Sequence, residues 1–277
     1  MGITAAEVNK LRTVTGAGMM DCKKALEETN GDFEAAIDYL RKKGQKVAAK
    51  RADREANEGV VIAKTNADNT AGIVIKLTSE TDFVAKNADF IAFGEQIADA
   101  AIKQQPADIE ALKSLPINGK TIGDAIDEQV AKIGEKIDVV TYERIVAETV
   151  VAYNHAGNRI GVLVAMNQPH TEQIITAGKD AAMQVAAMNP VAVDKHDVST
   201  DTINRELDIA REQIRAEGKP EEMVEKIATG KLNKFYKDNT LHNQEFVKDP
   251  SKTVKQMLQA AHPELHVIAF KRVALGE

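Results

Sequence analysis

The chain has 277 residues, 43% hydrophobic and 28% charged, with a net charge of −6. That length predicts about two domains with room for a small third; the composition excludes disorder over most of the chain and a general basic coat for nucleic acid. Cys22 is the only cysteine, which excludes an internal disulfide and a cysteine-based zinc site. Stability must come from burial, and with aromatics at 4% and no Trp the core must be built mainly from Ala, Val, Ile, Leu and Met. No run approaches the ~20 apolar residues of a membrane helix. The opening Met-Gly-Ile-Thr-Ala-Ala-Glu lacks the basic start and apolar stretch of a signal peptide. Ala6 stands where a myristoylation signal needs Ser or Thr. A soluble cytoplasmic protein is the expectation, with no membrane partner.

The first forty residues predict three short helices. Thr4 and Glu7 have capping-box spacing, with Val8, Leu11 and Val14 following at helical intervals. Gly16 and Gly18 break that helix. Met19, Met20, Ala25 and Leu26 belong to a second, which Asn30-Gly31 stops; Asp32 caps a third carrying Phe33, Ala36, Ile37 and Leu40. Residues 41–54 set Arg41, Lys42, Lys43, Lys46, Lys50, Arg51 and Arg54 against one acid, Asp53, and are read as a solvated, partly helical linker. After Gly59 the runs Val60–Ala63 and Gly72–Leu77 predict strands around an Asn66–Asn69 turn. Helices follow over about 88–104 and 121–133, then an extended stretch from Val139 to Glu148.

The same unit then recurs: strands at Val150–Tyr153 and Gly161–Met166 around a turn at His155-Ala156-Gly157, then a helix over about 171–188. Gly72-Ile-Val-Ile matches Gly161-Val-Leu-Val in kind, which predicts two related halves of strand–strand–helix. Ile203, Leu207, Ala210 and Ile214 form a narrow helical seam. With a turn at Gly218-Lys219-Pro220 they predict a hairpin over 200–237. A last helix is expected from Pro250-Ser251 to about His262, then a strand at Val267–Phe270. The expected class is α+β, with a small N-terminal three-helix domain and a two-part core carrying an inserted helical hairpin.

Several candidate sites carry little. Gly16-Ala17-Gly18 lacks the preceding strand and the spacing of a phosphate loop. His262 and His266 are four apart, but Pro263 breaks the helix that would align them, so no metal is expected. Glu80 and Asp82 would share a strand face and suggest acid–base work, without a nucleophile nearby. The basic run at 41–54 could hold RNA but has no interleaved aromatics. The informative stretch is Thr78–Asn87, which leaves a strand and enters a helix. Thr81 or Asp82 can cap that helix. Phe83 is either a core plug beneath it or a protruding apolar anchor beside a charge. The second half has Gln168-Pro169-His170-Thr171 at the equivalent junction, with neither Asp nor Phe, which favours a special role for the first.

Thr15-Gly-Ala-Gly-Met-Met-Asp-Cys-Lys-Lys-Ala-Leu26 and Glu80-Thr-Asp-Phe-Val-Ala-Lys-Asn87 resemble the two signature segments of the bacterial translation elongation factor Ts family; Arg159–Val164 and Ser251–Val254 are similar to it too. That family exchanges guanine nucleotide on elongation factor Tu without being an enzyme in the strict sense. The resemblance implies a ubiquitin-associated-like N-terminal domain and linker over 1–55, core subdomains over 56–140 and over 141–199 with 238–277, and a hairpin over 200–237 that pairs two copies in some members. It also implies that Thr81, Asp82, Phe83 and Val84 enter GDP-bound Tu beside its nucleotide and dislodge magnesium. Lys23, Ile133, Gly134 and His155 would be further contacts, with no cofactor and no direct nucleic acid; independently of the resemblance, Met19 and Met20 at the turn between the first two helices offer an apolar contact surface. An RNA- or ribosome-associated module is the alternative reading. Longer family members carry a helical module after the final strand, whereas this sequence ends at Gly276-Glu277; contacts made by that module are not expected here.

Overall fold

The computed structural model describes residues 2–277; Met1, which opens the N-terminal segment read above, lies outside them. The chain begins with α1 (Ala5–Thr15), α2 (Met19–Glu28) and α3 (Phe33–Arg51). Thr4 and Glu7 form the expected capping box on α1, and Asp32 caps α3 through the Ala35 amide. Val8, Leu11, Cys22, Ala25, Leu26 and Ala36 close a small core between them, with Cys22 buried at its centre.

One expectation fails here. The basic run is not a linker, because α3 continues unbroken to Arg51. Its inner face is small and apolar rather than strongly hydrophobic: Gly44 lies against Asp127 and Ala131, and Val47 and Ala48 pack on the main core. Its cations are largely consumed within the chain: Arg41 pairs with Asp124, Lys43 with Asp21, and Arg51 and Arg54 with Glu80.

The body follows as β1 (Glu58–Thr65), β2 (Ala71–Ser79), the single turn α4 (Asp82–Ala85), α5 (Ala88–Gln104), α6 (Ile109–Lys113), β3 (Pro116–Ile117), β4 (Lys120–Thr121), α7 (Ile122–Ile133) and β5 (Asp138–Val146). The second half runs β6 (Thr149–Asn154), β7 (Ile160–Met166), α8 (Glu172–Met188), α9 (Thr200–Ala216), α10 (Glu221–Asn239), β8 (Glu245–Phe246), β9 (Asp249–Thr253), α11 (Val254–Ala261) and β10 (Val267–Ala274). The last helix starts later than expected. Residues 250–253 pair as β9, and Thr253 with Gln256 supplies the capping box that sets the start.

The internal repeat is explicit in the topology. One antiparallel sheet has the order β1-β2-β5 and the other the order β6-β7-β10; each is a hairpin whose second strand takes up a third after a helical excursion. The two sheets stack. Val61, Ala63 and Val74 of the first meet Val150, Leu163 and Val273 of the second. On the outer face of the first sheet, Val60, Ile62, Ile73, Ile75 and Leu77 pack against Phe90, Ile97 and Ala101 of α5 and Ile122 and Val130 of α7. On the outer face of the second, Val151, Val162, Val164 and Met166 pack against Ile174, Ala181 and Val185 of α8 and Leu258 of α11. Burial on both faces explains why the strands read as continuous apolar runs. α9 and α10 form the hairpin, closed by Ala210, Ile214, Val224 and Ala228.

The matched glycines of the two halves sit where the sheets meet. A Cβ on Gly72 would lie 2.7 Å from Val150 Cγ1 and 2.9 Å from Leu163 Cδ2; one on Gly161 would lie 2.8 Å from Val61 Cγ1 and 3.0 Å from Val74 Cγ2. Gly72→Ala is expected to destabilise the fold by about 1–3 kcal/mol through overpacking, read as a lower midpoint in urea. Asp127, half-buried at the α3–α7 crossing, behaves oppositely. Burial and the nearby Asp124 and Asp138 raise its carboxyl above the usual range. A carboxyl whose pKa rises on folding opposes folding once ionised, and the penalty disappears in acid where both states are protonated. Asp127→Asn should therefore raise the thermal midpoint at pH 7, with the gain vanishing as pH falls below the ordinary carboxylate range.

Candidate partner-binding surface

The segment after β2 is held from beneath and points outward. Thr81, extended, caps the single turn α4 by accepting from the Val84 amide. A carboxylate grips the same residue. Glu135, in the turn between α7 and β5, accepts the Thr81 N–H at 3.0 Å on Oε2 and the Thr81 hydroxyl at 2.7 Å on Oε1. Glu80 reciprocates: its Oε1 accepts the backbone N–H of Lys136 at 2.6 Å and Arg51 Nη1 at 2.8 Å, with Arg54 Nη1 at 3.5 Å from Oε2. Lys136 Nζ in turn donates to the carbonyls of Ala52 and Arg54. Two turns distant in sequence thus exchange carboxylate-to-backbone bonds, and the end of α3 is tied to both.

On this platform Ala85 is buried, Val84 packs partly on the core, and Phe83 is 84% exposed. Phe83 is therefore no core plug: its ring stands out into solvent. Asp82 faces outward and accepts from Lys86 Nζ at 2.6 Å. It does not form an acid–base pair with Glu80. The Lys136 amide and Arg51 hold Glu80 below the ordinary carboxylate range, and Lys86 does the same for Asp82. Neither is a proton donor at neutral pH.

The remaining candidates lie on three neighbouring features. Ile133 ends α7 and Gly134 closes it with φ +81°, immediately before Glu135; this turn and the 81–84 segment are therefore one body. The α1–α2 turn comes beside the last turn of α7, where Gly16 lies against the Lys132 side chain. Met19 and Met20 stand exposed just beyond, and Lys23 is exposed with Glu27 at 3.8 Å. The β6–β7 turn holds His155, whose Nδ1 meets the Tyr153 hydroxyl at 3.0 Å. Asn154 bonds both backbone groups of Ala63, and Arg159 reaches Glu58, whose register partner is Ser79. The rings of His262 and His266 each meet the Glu264 backbone, through its N–H and its carbonyl respectively. Among the described residues no cluster of His, Cys, Asp or Glu fit to hold a metal is found, and no helix is long and apolar enough to cross a membrane.

The sequence reading missed Glu135, Lys136, Arg51 and Arg54. The last two stood out as cations, but nothing near them in sequence identified Glu80 as their partner; Glu135 carried no signal at all.

A family model described as "Elongation factor TS" matches residues 80–277. "Elongation factor Ts" of Cytophaga hutchinsonii is 54% identical over 275 residues, 99% of this chain and 99% of that protein. The protein of that name from Amoebophilus asiaticus is 54% identical over 276 residues, the full length of both, and that from Porphyromonas gingivalis is 47% identical over 277. These likenesses make the chain a translation elongation factor. It belongs to the elongation factor Ts family.

The pKa of Glu80 gives a test of the platform. A carboxyl lowered on folding contributes stability above its unfolded pKa and loses it as pH falls through the folded one. Glu80→Gln should thus lower the thermal midpoint at pH 7, and its difference from wild type should shrink once the pH falls below the ordinary carboxylate range.

Proposed function

We propose that this chain is a guanine-nucleotide exchange factor that binds GDP-bound elongation factor Tu and speeds GDP release. The observation that carries this reading is Phe83, a large apolar side chain held in water on a turn tied down by hydrogen bonds at its base. Exposed aromatics in fixed positions are what interface hot spots are made of. Burying Phe83 on the partner contributes roughly 1.5–3 kcal/mol by area.

In this reading Thr81, Asp82, Phe83 and Val84 enter beside the nucleotide of the GTPase. Magnesium bridges the phosphates to the protein in such sites, so displacing it removes much of the hold on GDP. Asp82 need not ligate the metal; pushing the surrounding elements apart is sufficient, and Phe83 supplies the push. Met19, Met20, Lys23, Ile133, Gly134 and His155 add contacts around it. Reciprocity then gives exchange: whatever factor the chain takes from GDP affinity, GDP takes from the chain's. No covalent bond is made or broken, so the chain is not an enzyme in the strict sense. Residues 1–55 meet the GTPase domain, 56–140 and 141–199 with 238–277 form the two core halves, and 200–237 pairs two copies. The work is done in the cytoplasm. The pairing of Arg41, Lys43, Arg51 and Arg54 with acids of this chain removes most of the motive for the RNA-binding alternative.

The test is release of fluorescent GDP from purified elongation factor Tu. The full chain should accelerate it, and Phe83→Ala should lose about tenfold or more of that acceleration at subsaturating concentration. Acceleration equal in wild type, Asp82→Ala and Phe83→Ala would keep the activity and remove the site; no acceleration at micromolar concentration would remove the reading.

A further inference from the structure

We infer that Glu135 is a positioning residue for exchange: its two-point grip on Thr81 presets the exposed Phe83 for docking. The inference rests on the exchange reading above and adds to it a residue that touches neither nucleotide nor, by this account, the partner.

The argument starts from what α4 lacks. A single turn of four residues has too few internal hydrogen bonds to persist alone, and its cap bond from Thr81 to the Val84 amide is long, 3.4 Å. The turn is also the mount of a side chain that finds nothing to pack on in the free protein, being 84% exposed. What fixes the mount is therefore outside it. Ala85 anchors one end in the core. At the other, Glu135 takes both the backbone N–H and the hydroxyl of Thr81, at 3.0 and 2.7 Å. These are hydrogen bonds to an ionised acceptor, the stronger class. Glu80, one residue earlier, is fixed by the Lys136 amide and Arg51, so the direction in which the chain leaves β2 is set as well. Removing the grip from Glu135 leaves the strand end in place and frees only the turn.

The kinetic consequence is specific. If Phe83 is in its docking position for only a fraction of the time, the apparent affinity falls by that fraction, while the complex once formed is the same. A loss of positioning therefore raises the concentration of this chain needed for half-maximal exchange and leaves the saturated rate alone. Loss of a group that acts on the nucleotide site itself would lower the saturated rate.

The experiment compares the full chain with Glu135→Ala and Glu135→Gln in release of fluorescent GDP from elongation factor Tu. Glu135→Ala should raise the half-saturating concentration about tenfold, the low end expected for bonds to a charged acceptor, with the saturated rate within about twofold; Glu135→Gln, which keeps one acceptor oxygen, should fall between. Two readouts on the free chain accompany it. The chain has no Trp, so Phe83→Trp introduces a single indole, whose fluorescence anisotropy should fall when Glu135→Ala is added. The Thr81 amide should exchange faster in Glu135→Ala, with the amides of β2 and α5 unchanged. An unchanged half-saturating concentration in Glu135→Ala, with wild type active, overturns the inference and leaves the exchange reading standing. So does a fall in the saturated rate alone. Faster exchange across β2 and α5 makes Glu135 a general structural residue and overturns it too. An inactive wild type overturns the exchange reading, and this inference with it.

Discussion

The contact on which the rest of the structure depends is the seam between the two sheets. Gly72 and Gly161 allow strands of opposite sheets to come so close that a methyl group at either position would collide with valines and a leucine across the gap. Once the sheets meet there, β1, β2 and β7 have two buried faces, and a slip of one residue would exchange the side chains of the seam for those under the helices. The register is thereby fixed in both halves. So are the places where strands end, and every candidate contact of the core lies at or close behind a strand end: the 81–84 segment beyond β2, the Gly134 turn ahead of β5, and His155 between β6 and β7.

The surface built on those ends solves a particular problem. An aromatic ring left in water on a loose loop folds back onto the nearest apolar surface. Here the loop is not loose. Carboxylates from two turns each accept from the other's backbone, and the negative charge this concentrates under α4 is met by Arg51 and Arg54. The N-terminal helices and the core are joined at the same point, since the arginines come from the end of α3 and Lys136 returns to the carbonyls of Ala52 and Arg54. A stretch that looks like a tether in sequence is the strut that sets how the two parts sit.

How much of this was legible varies with the range of the interaction that decides it. Helix α5 was readable in sequence, because Phe90, Ile97 and Ala101 repeat on one stripe, although its cap is Asn87 rather than Thr81 or Asp82. The paired halves were readable from order alone. The continuation of α3 was not, because its buried positions are Gly44, Val47 and Ala48 among lysines, too weak a stripe to register as amphipathic. The two-residue strands β3, β4 and β8 are shorter than any period. Pro250-Ser251 suggested a helix start, but the capping box lay three residues on. For the site, residue types and local spacing singled out 80–87, yet the carboxylate that holds Thr81 comes from Glu135, 54 residues away. No local rule reaches that far.

The duplicated architecture also settles where change is tolerated. The glycine-lined seam joins the halves in such a way that an enlargement on either side has to be answered on the other. The turns answer to no such constraint. One copy ends its hairpin in Thr-Asp-Phe-Val and the other in Gln-Pro-His-Thr, on scaffolds that are otherwise counterparts. Two counterpart scaffolds thus carry unlike ends, an exposed phenylalanine on one and a proline and a histidine on the other.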